Sequence, residues 1–310
     1  MIKTGLPRPN APRARNDGAL DYFVGVDGGA TRATVRIENA AGEKCAVAMS
    51  GPANIRLSVE ETWSSILSAF QQALQMAQID SHHTFHAGMG LAGCEVQEAK
   101  QDFLSRSHPF QSLSLTTDAH VACLGAHAGQ NGALLIAGTG SLGFQIEDQH
   151  IVQVGGWGFP HADEGSGAWL GLEVTRLTFQ WLDGRAQASK LTEAVYDFFQ
   201  QNTAQLVTWA NRANSTAFAE LAPIVIQQAE TGNEDALRLL RCAARSIDQI
   251  AETLLLKQRQ QNNPLPICFA GGVSTFLQPF LSEKTRARLT QPKASASEGA
   301  IYFLKRGLQQ

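Results

Sequence analysis

The 310-residue chain sets 25 lysines and arginines against 28 aspartates and glutamates, a formal net charge of -3. That balance gives no electrostatic reason to bind nucleic acid or an anionic membrane. With 44% hydrophobic and 17% charged residues the chain is not disordered, and its length suffices for a good core and two domains.

Residues 1–20 carry Lys3, Arg8, Arg13 and Arg15 among three prolines and lack an apolar core segment. They are expected to form a disordered tail rather than a signal peptide. No apolar run approaches the ~20 residues of a membrane span, so the expected location is the cytoplasm. The cysteines form no C-x-x-C pair, and most sit among apolar or small residues, as buried reduced thiols do.

A first domain is expected over 21–120. Tyr22–Val26 and Ala33–Glu38 read as strands joined by a tight turn, and Cys45–Met49 as a third strand. Ser58 and Glu61 have the spacing of a capping box, ahead of a helical stripe from Val59 through Trp63, Ile66, Phe70 and Leu74. Strands at His86–Met89 and Leu113–Thr117 flank a helix near Val96–Ser105, and another helix starts just after Asp118. The order βββαβαβα is a complete α/β layer unit.

The second domain, 121–310, opens in the same way: Ala133–Ala137, a turn, Leu142–Ile146, and then Ile151–Val154. A glycine-rich segment, Gly155–Gly167, leads into a helix through Trp181. Helices follow at Lys190–Gln200, Thr216–Glu230 and Asn233–Gln258. After them come a strand at Ile267–Ala270, a helix from Ser274 and a last helix from about Ser297, which is free to pack back on the first domain.

Three strands thus end in glycine turns: Asp27-Gly28-Gly29-Ala30-Thr31, Gly138-Thr139-Gly140-Ser141 and Gly271-Gly272-Val273-Ser274. Such turns present bare backbone N–H groups that phosphate oxygens can approach. One alone is ordinary turn chemistry; three across both halves suggest a nucleotide in a cleft between two domains. Asp27 could hold hydrated Mg2+ or simply satisfy its own turn. Thr31 and Ser141 offer hydroxyls at matching places.

Asp118 follows a strand and precedes a helix, which suits an N-cap. It suits equally a carboxylate at the ligand-binding edge of an α/β sheet, accepting a proton from an attacking hydroxyl. In Gly155–Gly167, Trp157 offers a plate for a sugar ring, and Asp163 and Glu164 offer acceptors for its hydroxyls. A helix cap at Asp163 explains only part of this segment. Asn54 could add an amide or be a turn residue. His82, His83 and His86 lack the partners of a metal site.

With these residues in place, the chain resembles the sugar-kinase, heat-shock-protein and actin superfamily. Within it, the chain resembles the N-acetylglucosamine and glucosamine kinase group of the BadF/BadG/BcrA/BcrD ATPase family. The resemblance runs from Tyr22 to Phe303. It covers residues 24–31, 50–54, 90–93, 117–119, 136–141, 155–158, 163–166 and 270–272 in order.

The resemblance implies an α/β fold of two ribonuclease H-like domains of the actin-like ATPase type, with the active-site cleft between them. It implies ATP and Mg2+ as cofactors, Asp118 as catalytic base, Asp27 serving the metal, and the first two turns cradling the β- and γ-phosphates. Gly271, Gly272 and Ser274 would lie against adenosine. Asn54, Asp118, Gly156, Trp157, Gly158, Asp163 and Glu164 would surround the sugar. Ala30 stands where the family usually has a third glycine, which is tolerable if its φ stays negative.

The expected reaction is transfer of the γ-phosphoryl group to the 6-hydroxyl of glucosamine or N-acetylglucosamine, with a homodimer left open. An ATPase activator of the same superfamily and a non-catalytic sugar sensor are the alternatives. The first needs cysteines bridging two subunits, and the second needs a DNA-binding module for which residues 1–20 are too short and proline-rich.

Overall fold

Two strand-turn-strand openings, one in each half of the chain, start two sheets of the same topology. The computed structural model describes residues 19–260 and 262–308; nearly all of the expected N-terminal tail lies outside the described residues. The chain divides into two units, one of residues 19–118 with 303–308, the other Ala119–Tyr302.

Unit 1 contains β1 (Asp21–Gly28), β2 (Ala33–Asn39), β3 (Lys44–Ser50), α1 (Val59–Ala77), β4 (Thr84–Leu91), α2 (Gln97–Ser105) and β5 (Ser112–Thr116). At its boundary starts α3 (Asp118–Ala126). The sheet order is β3-β2-β1-β4-β5, with β1, β2 and β3 antiparallel and β1, β4 and β5 parallel. Val24, Val26, Val35 and Ile37 are fully buried, as the period of a strand with one covered face requires. Ile66 and Phe70 of α1 cover that face, while Trp63 stacks on Phe103 at 4.3 Å and donates from Nε1 to its carbonyl.

Ser58 caps α1 by accepting from Glu61 N at 3.1 Å. The reciprocal half expected of a capping box is replaced, because Ser58 N already donates to Asn54 O at 3.2 Å.

Unit 2 contains β6 (Gly132–Ala137), β7 (Ser141–Glu147) and β8 (His150–Gly155), then six helices. These are α4 (Gly167–Leu182), α5 (Lys190–Phe198), α6 (Thr203–Ala210), α7 (Ser215–Ala219), α8 (Ala222–Glu230) and α9 (Glu234–Lys257). β9 (Ile267–Ala270), α10 (Ser274–Leu277), α11 (Glu283–Arg286), β10 (Leu289–Thr290) and α12 (Ala296–Leu308) complete it, the end of α12 belonging to unit 1. The order β10-β9-β6-β7-β8 repeats that of unit 1, with the same pattern of parallel and antiparallel pairs.

The single helix expected over 216–230 is two, α7 and α8. Pro223 sits in the first turn of α8, where its missing N–H does no harm but where no helix can run through it from upstream without losing a bond. The five cysteines are free, and burial pushes the Cys123 thiol up to about 12. Among the described residues no helix is long and apolar enough to cross a membrane.

Candidate active site

In unit 1 the register across the three parallel strands sets the site. Asp27 of β1 lies opposite Gly90 of β4, and Gly90 lies opposite Thr116 of β5. Asp118 follows two residues later as the first residue of α3. Two carboxylates therefore stand at the C-terminal ends of parallel strands, where helix N-termini and open backbone groups make α/β sheets bind ligands. Burial, and then the Asp118 carboxylate, push the pKa of Asp27 up to about 6, with Arg32 pulling against them.

The first glycine turn joins β1 to β2. Gly29 N donates to Arg32 O, Gly29 O accepts from Ala53 N at 2.9 Å, and Gly28 O accepts from Ala92 N at 2.9 Å. The amides of Ala30 and Thr31, both exposed, keep no partner among the described residues. Ala30 is not among the residues with positive φ, so its methyl group is accommodated without backbone strain. The same bonds draw in Asn54, which bridges to Ala92 and spends its Oδ1 on Arg56 N at 3.1 Å. Its Nδ2 makes no hydrogen bond among the described residues.

In unit 2 the second turn joins β6 to β7. Gly138 N donates to Gly140 O, and the amides of Thr139 and Gly140 remain without a partner among the described residues. Ser141, expected to offer a donor to phosphate, has both of its donors engaged within unit 2. It is 3% exposed, its Oγ donates to Glu164 O at 2.7 Å, and its N donates to Asp163 Oδ1 at 3.2 Å.

The third turn packs on the second. Val273 N donates to Ala137 O at 3.0 Å, and Gly271, at φ 106, lies so close that a Cβ there would come within 2.3 Å of the Ala137 carbonyl oxygen. Ser274 is buried and donates its hydroxyl to Gly271 O, which holds the turn together, while Gly272 faces open space.

Trp157 is 86% exposed, carried on a segment in which Gly155, Gly156 and Gly158 all have positive φ. A bare indole on such a segment has no packing role to account for it. Asp163 does not cap the following helix: Ser166 does, accepting from Trp169 N at 3.1 Å. Asp163 and Glu164 instead line a cavity of about 240 Å³ with Ser246, Gln249 and Thr253 of α9. Sequence reasoning missed these α9 residues. Their signal was a polar stripe at helical spacing beside the apolar face of Ile247, Ile250 and Leu254.

Each unit thus holds a strand-turn-strand with two open amides at its tip, and the model of the BadF/BadG/BcrA/BcrD ATPase family matches residues 24–301. The chain belongs to that family. This BadF/BadG/BcrA/BcrD-family chain is similar to glucosamine kinase GspK of Vibrio cholerae, at 35% identity over 92% of this chain and 96% of that one. It is also similar to an N-acetylmuramic acid/N-acetylglucosamine kinase of Clostridium acetobutylicum, at 24% identity over 82% of this chain and 86% of the other.

A solved structure from Chromobacterium violaceum, provisionally named an N-acetylglucosamine kinase, matches with a TM-score of 0.84 at 35% identity. The match covers 92% of this chain and 99% of that one. The likeness extends to a Porphyromonas gingivalis structure, TM-score 0.63 at 21% identity over 93% of this chain and 100% of that one, for the fold alone. The family's fold is the α/β, actin-like one seen here as two five-stranded mixed sheets.

Proposed function

We propose that the chain is a cytoplasmic, ATP-dependent amino-sugar kinase that phosphorylates the 6-hydroxyl of glucosamine. The observation that carries this reading is the pair Asp27 and Asp118 at the ends of parallel strands. In this reading one carboxylate serves a metal–polyphosphate and the other an attacking hydroxyl, which their strand-end positions support.

In this reading Asp118 accepts the proton of the sugar 6-hydroxyl as that oxygen bonds to the γ-phosphorus. The bond from phosphorus to the bridging oxygen breaks, and ADP leaves. Such a base contributes a factor of ~10²–10⁴. The remainder is positioning and charge stabilisation. The open amides of Ala30, Thr31, Thr139 and Gly140 take phosphate oxygens, and Gly271, Gly272 and Ser274 form the wall for adenosine. Trp157 covers a face of the sugar, with Gly156 and Gly158 letting the chain approach it, and Asn54 donates to a hydroxyl.

Asp27 fits Mg2+. A divalent cation would relieve both its burial and its repulsion from Asp118. Among the described residues no group of three or more ligating side chains exists. In the proposed reading the ion is held by one carboxylate, water and phosphate oxygens. The bound ion would neutralise charge on the polyphosphate.

The choice of glucosamine follows from the walls of the 240 Å³ cavity. Val154 and Ile250 give the cavity apolar wall, but Glu164, Gln249 and the hydroxyls of Ser246 and Thr253 set acceptors around it that an ammonium group can use and an acetyl group cannot. Incubation with ATP, Mg2+ and each hexosamine, read by phosphorus NMR and mass spectrometry, tests the reading. Glucosamine 6-phosphate is expected, and Glu164→Gln should lower kcat/KM for glucosamine about tenfold while leaving N-acetylglucosamine little changed. Failure to phosphorylate any hexosamine would refute the kinase reading, and unchanged selectivity would refute the choice of sugar.

A further inference from the structure

The segment that carries Asp163 is bonded to the second phosphate turn at four points. Ser141 N donates to Asp163 Oδ1 at 3.2 Å, and Ser141 Oγ donates to Glu164 O at 2.7 Å. Gly167 N donates to Gly138 O at 2.7 Å, and Ala168 N donates to Thr139 O at 3.2 Å. The β6–β7 turn is therefore held from outside its own hairpin, by the residues just past Trp157.

Asp163 is the costly member of this set. It is 8% exposed, burial pushes its carboxyl above the usual range, and its backbone sits at φ 71, uncommon for any residue with a side chain. A Cβ on Gly140 would stand only 3.1–3.2 Å from its carboxyl group, so the turn and the carboxylate are fitted to each other. Ser166 already caps α4, which leaves Asp163 no capping work to justify burial and an unusual backbone.

Its carboxylate takes the Ser141 amide, next to the two open amides of Thr139 and Gly140, and is also hydrogen-bonded to the Phe159 backbone.

We infer that Asp163 is a positioning residue for the triphosphate of ATP, holding the Ser141 amide so that the Thr139 and Gly140 amides stay aimed at phosphate oxygens. The inference rests on the kinase reading in so far as this turn binds phosphate. It gives Asp163 a task on the nucleotide side of the reaction in addition to its place in the cavity proposed for the sugar.

Calorimetric titration without sugar separates these roles, using the β,γ-imido analogue of ATP with Mg2+, and AMP, against the full chain. Asp163→Ala should weaken the triphosphate analogue about tenfold and AMP less than twofold. Asp163→Asn keeps an oxygen acceptor for Ser141 N and should retain most of the affinity.

Equal weakening of AMP and the analogue would mean a general structural role and overturn the inference. Unchanged nucleotide affinity with loss only of sugar affinity would overturn it too, making Asp163 a sugar ligand alone. A wild-type chain that bound neither nucleotide would defeat the kinase reading, and the inference with it.

Discussion

Asp27, at the end of β1, has its pKa raised from 3.8 to about 6 by burial first and then by the carboxylate of Asp118 at the start of α3. Folding therefore favours the protonated form of Asp27. Its contribution to stability is fully present below pH 3.8 and is lost as pH rises through about 6, a difference on the order of 2–3 kcal/mol. Asp27→Asn removes that penalty. In thermal melts without nucleotide the variant should match the wild type near pH 4 and exceed it in Tm at pH 7–8. On the proposed role of Asp27 at the metal, the variant should also lose sugar phosphorylation. Equal Tm gains at both pH values would contradict the assigned cause.

The same shift predicts a pH limb in catalysis. Below about pH 6 a proton on Asp27 competes with Mg2+, so activity should fall on the acid side, and raising the Mg2+ concentration should move the limb to lower pH. A limb that ignores Mg2+ belongs to some other group.

Trp157 separates function from stability. At 86% exposure it contributes little to the fold, so Trp157→Ala should change unfolding free energy by no more than about 0.5 kcal/mol. The same change should raise KM for the sugar about tenfold and leave KM for ATP within about twofold. Denaturant unfolding and initial rates with each substrate varied check this. A large loss of stability, or a loss on the ATP side, would go against the assigned role.

Gly271 admits no side chain. At φ 106 and with a Cβ that would sit 2.3 Å from Ala137 O, Gly271→Ala must both strain the backbone and push β9 from β6. A loss of about 3 kcal/mol or more is expected, together with loss of nucleotide binding. A variant with wild-type Tm would show that the turn is looser than described.

In unit 1 the buried Glu38 accepts from Arg36 Nε at 2.8 Å and faces Lys305 Nζ of α12 at 3.6 Å, while that ammonium lies 4.7 Å from the ring centre of Phe23. Removing the carboxylate takes away the acceptor that Arg36 and Lys305 share in a partly dry place. Glu38→Ala should therefore destabilise by about 2 kcal/mol and Lys305→Met by no more than about 1 kcal/mol, both read by urea unfolding. The opposite order would contradict this placement of charge.

Much of the fold was legible because its signals are local. The alternation of Val24, Val26, Val35 and Ile37 marks strands, and glycines punctuate them. α6 was missed because Leu206 is its one buried residue, which gives no apolar stripe to detect. The break between α7 and α8 was missed although Pro223 marked it.

In the site, the turns and Asp118 stood out as strand ends. The tie between Asp163 and Ser141 did not, since the two are 22 residues apart and their contact is made only when the segment folds back on the hairpin. Ser246, Gln249 and Thr253 were hidden for a related reason. A polar stripe on an amphipathic helix reads as solvated surface until the opposite wall, here Asp163 and Glu164, is known.

The central claim is that Asp118 takes the proton from a sugar hydroxyl during ATP-dependent transfer. It is tested most directly by sugar-dependent ADP release from the wild type and from Asp118→Asn, with glucosamine varied at saturating ATP and Mg2+. The account predicts robust stimulation by glucosamine in the wild type. In the variant kcat should fall by ~10²–10⁴ while both substrates still bind. Full sugar-dependent turnover in Asp118→Asn would contradict it.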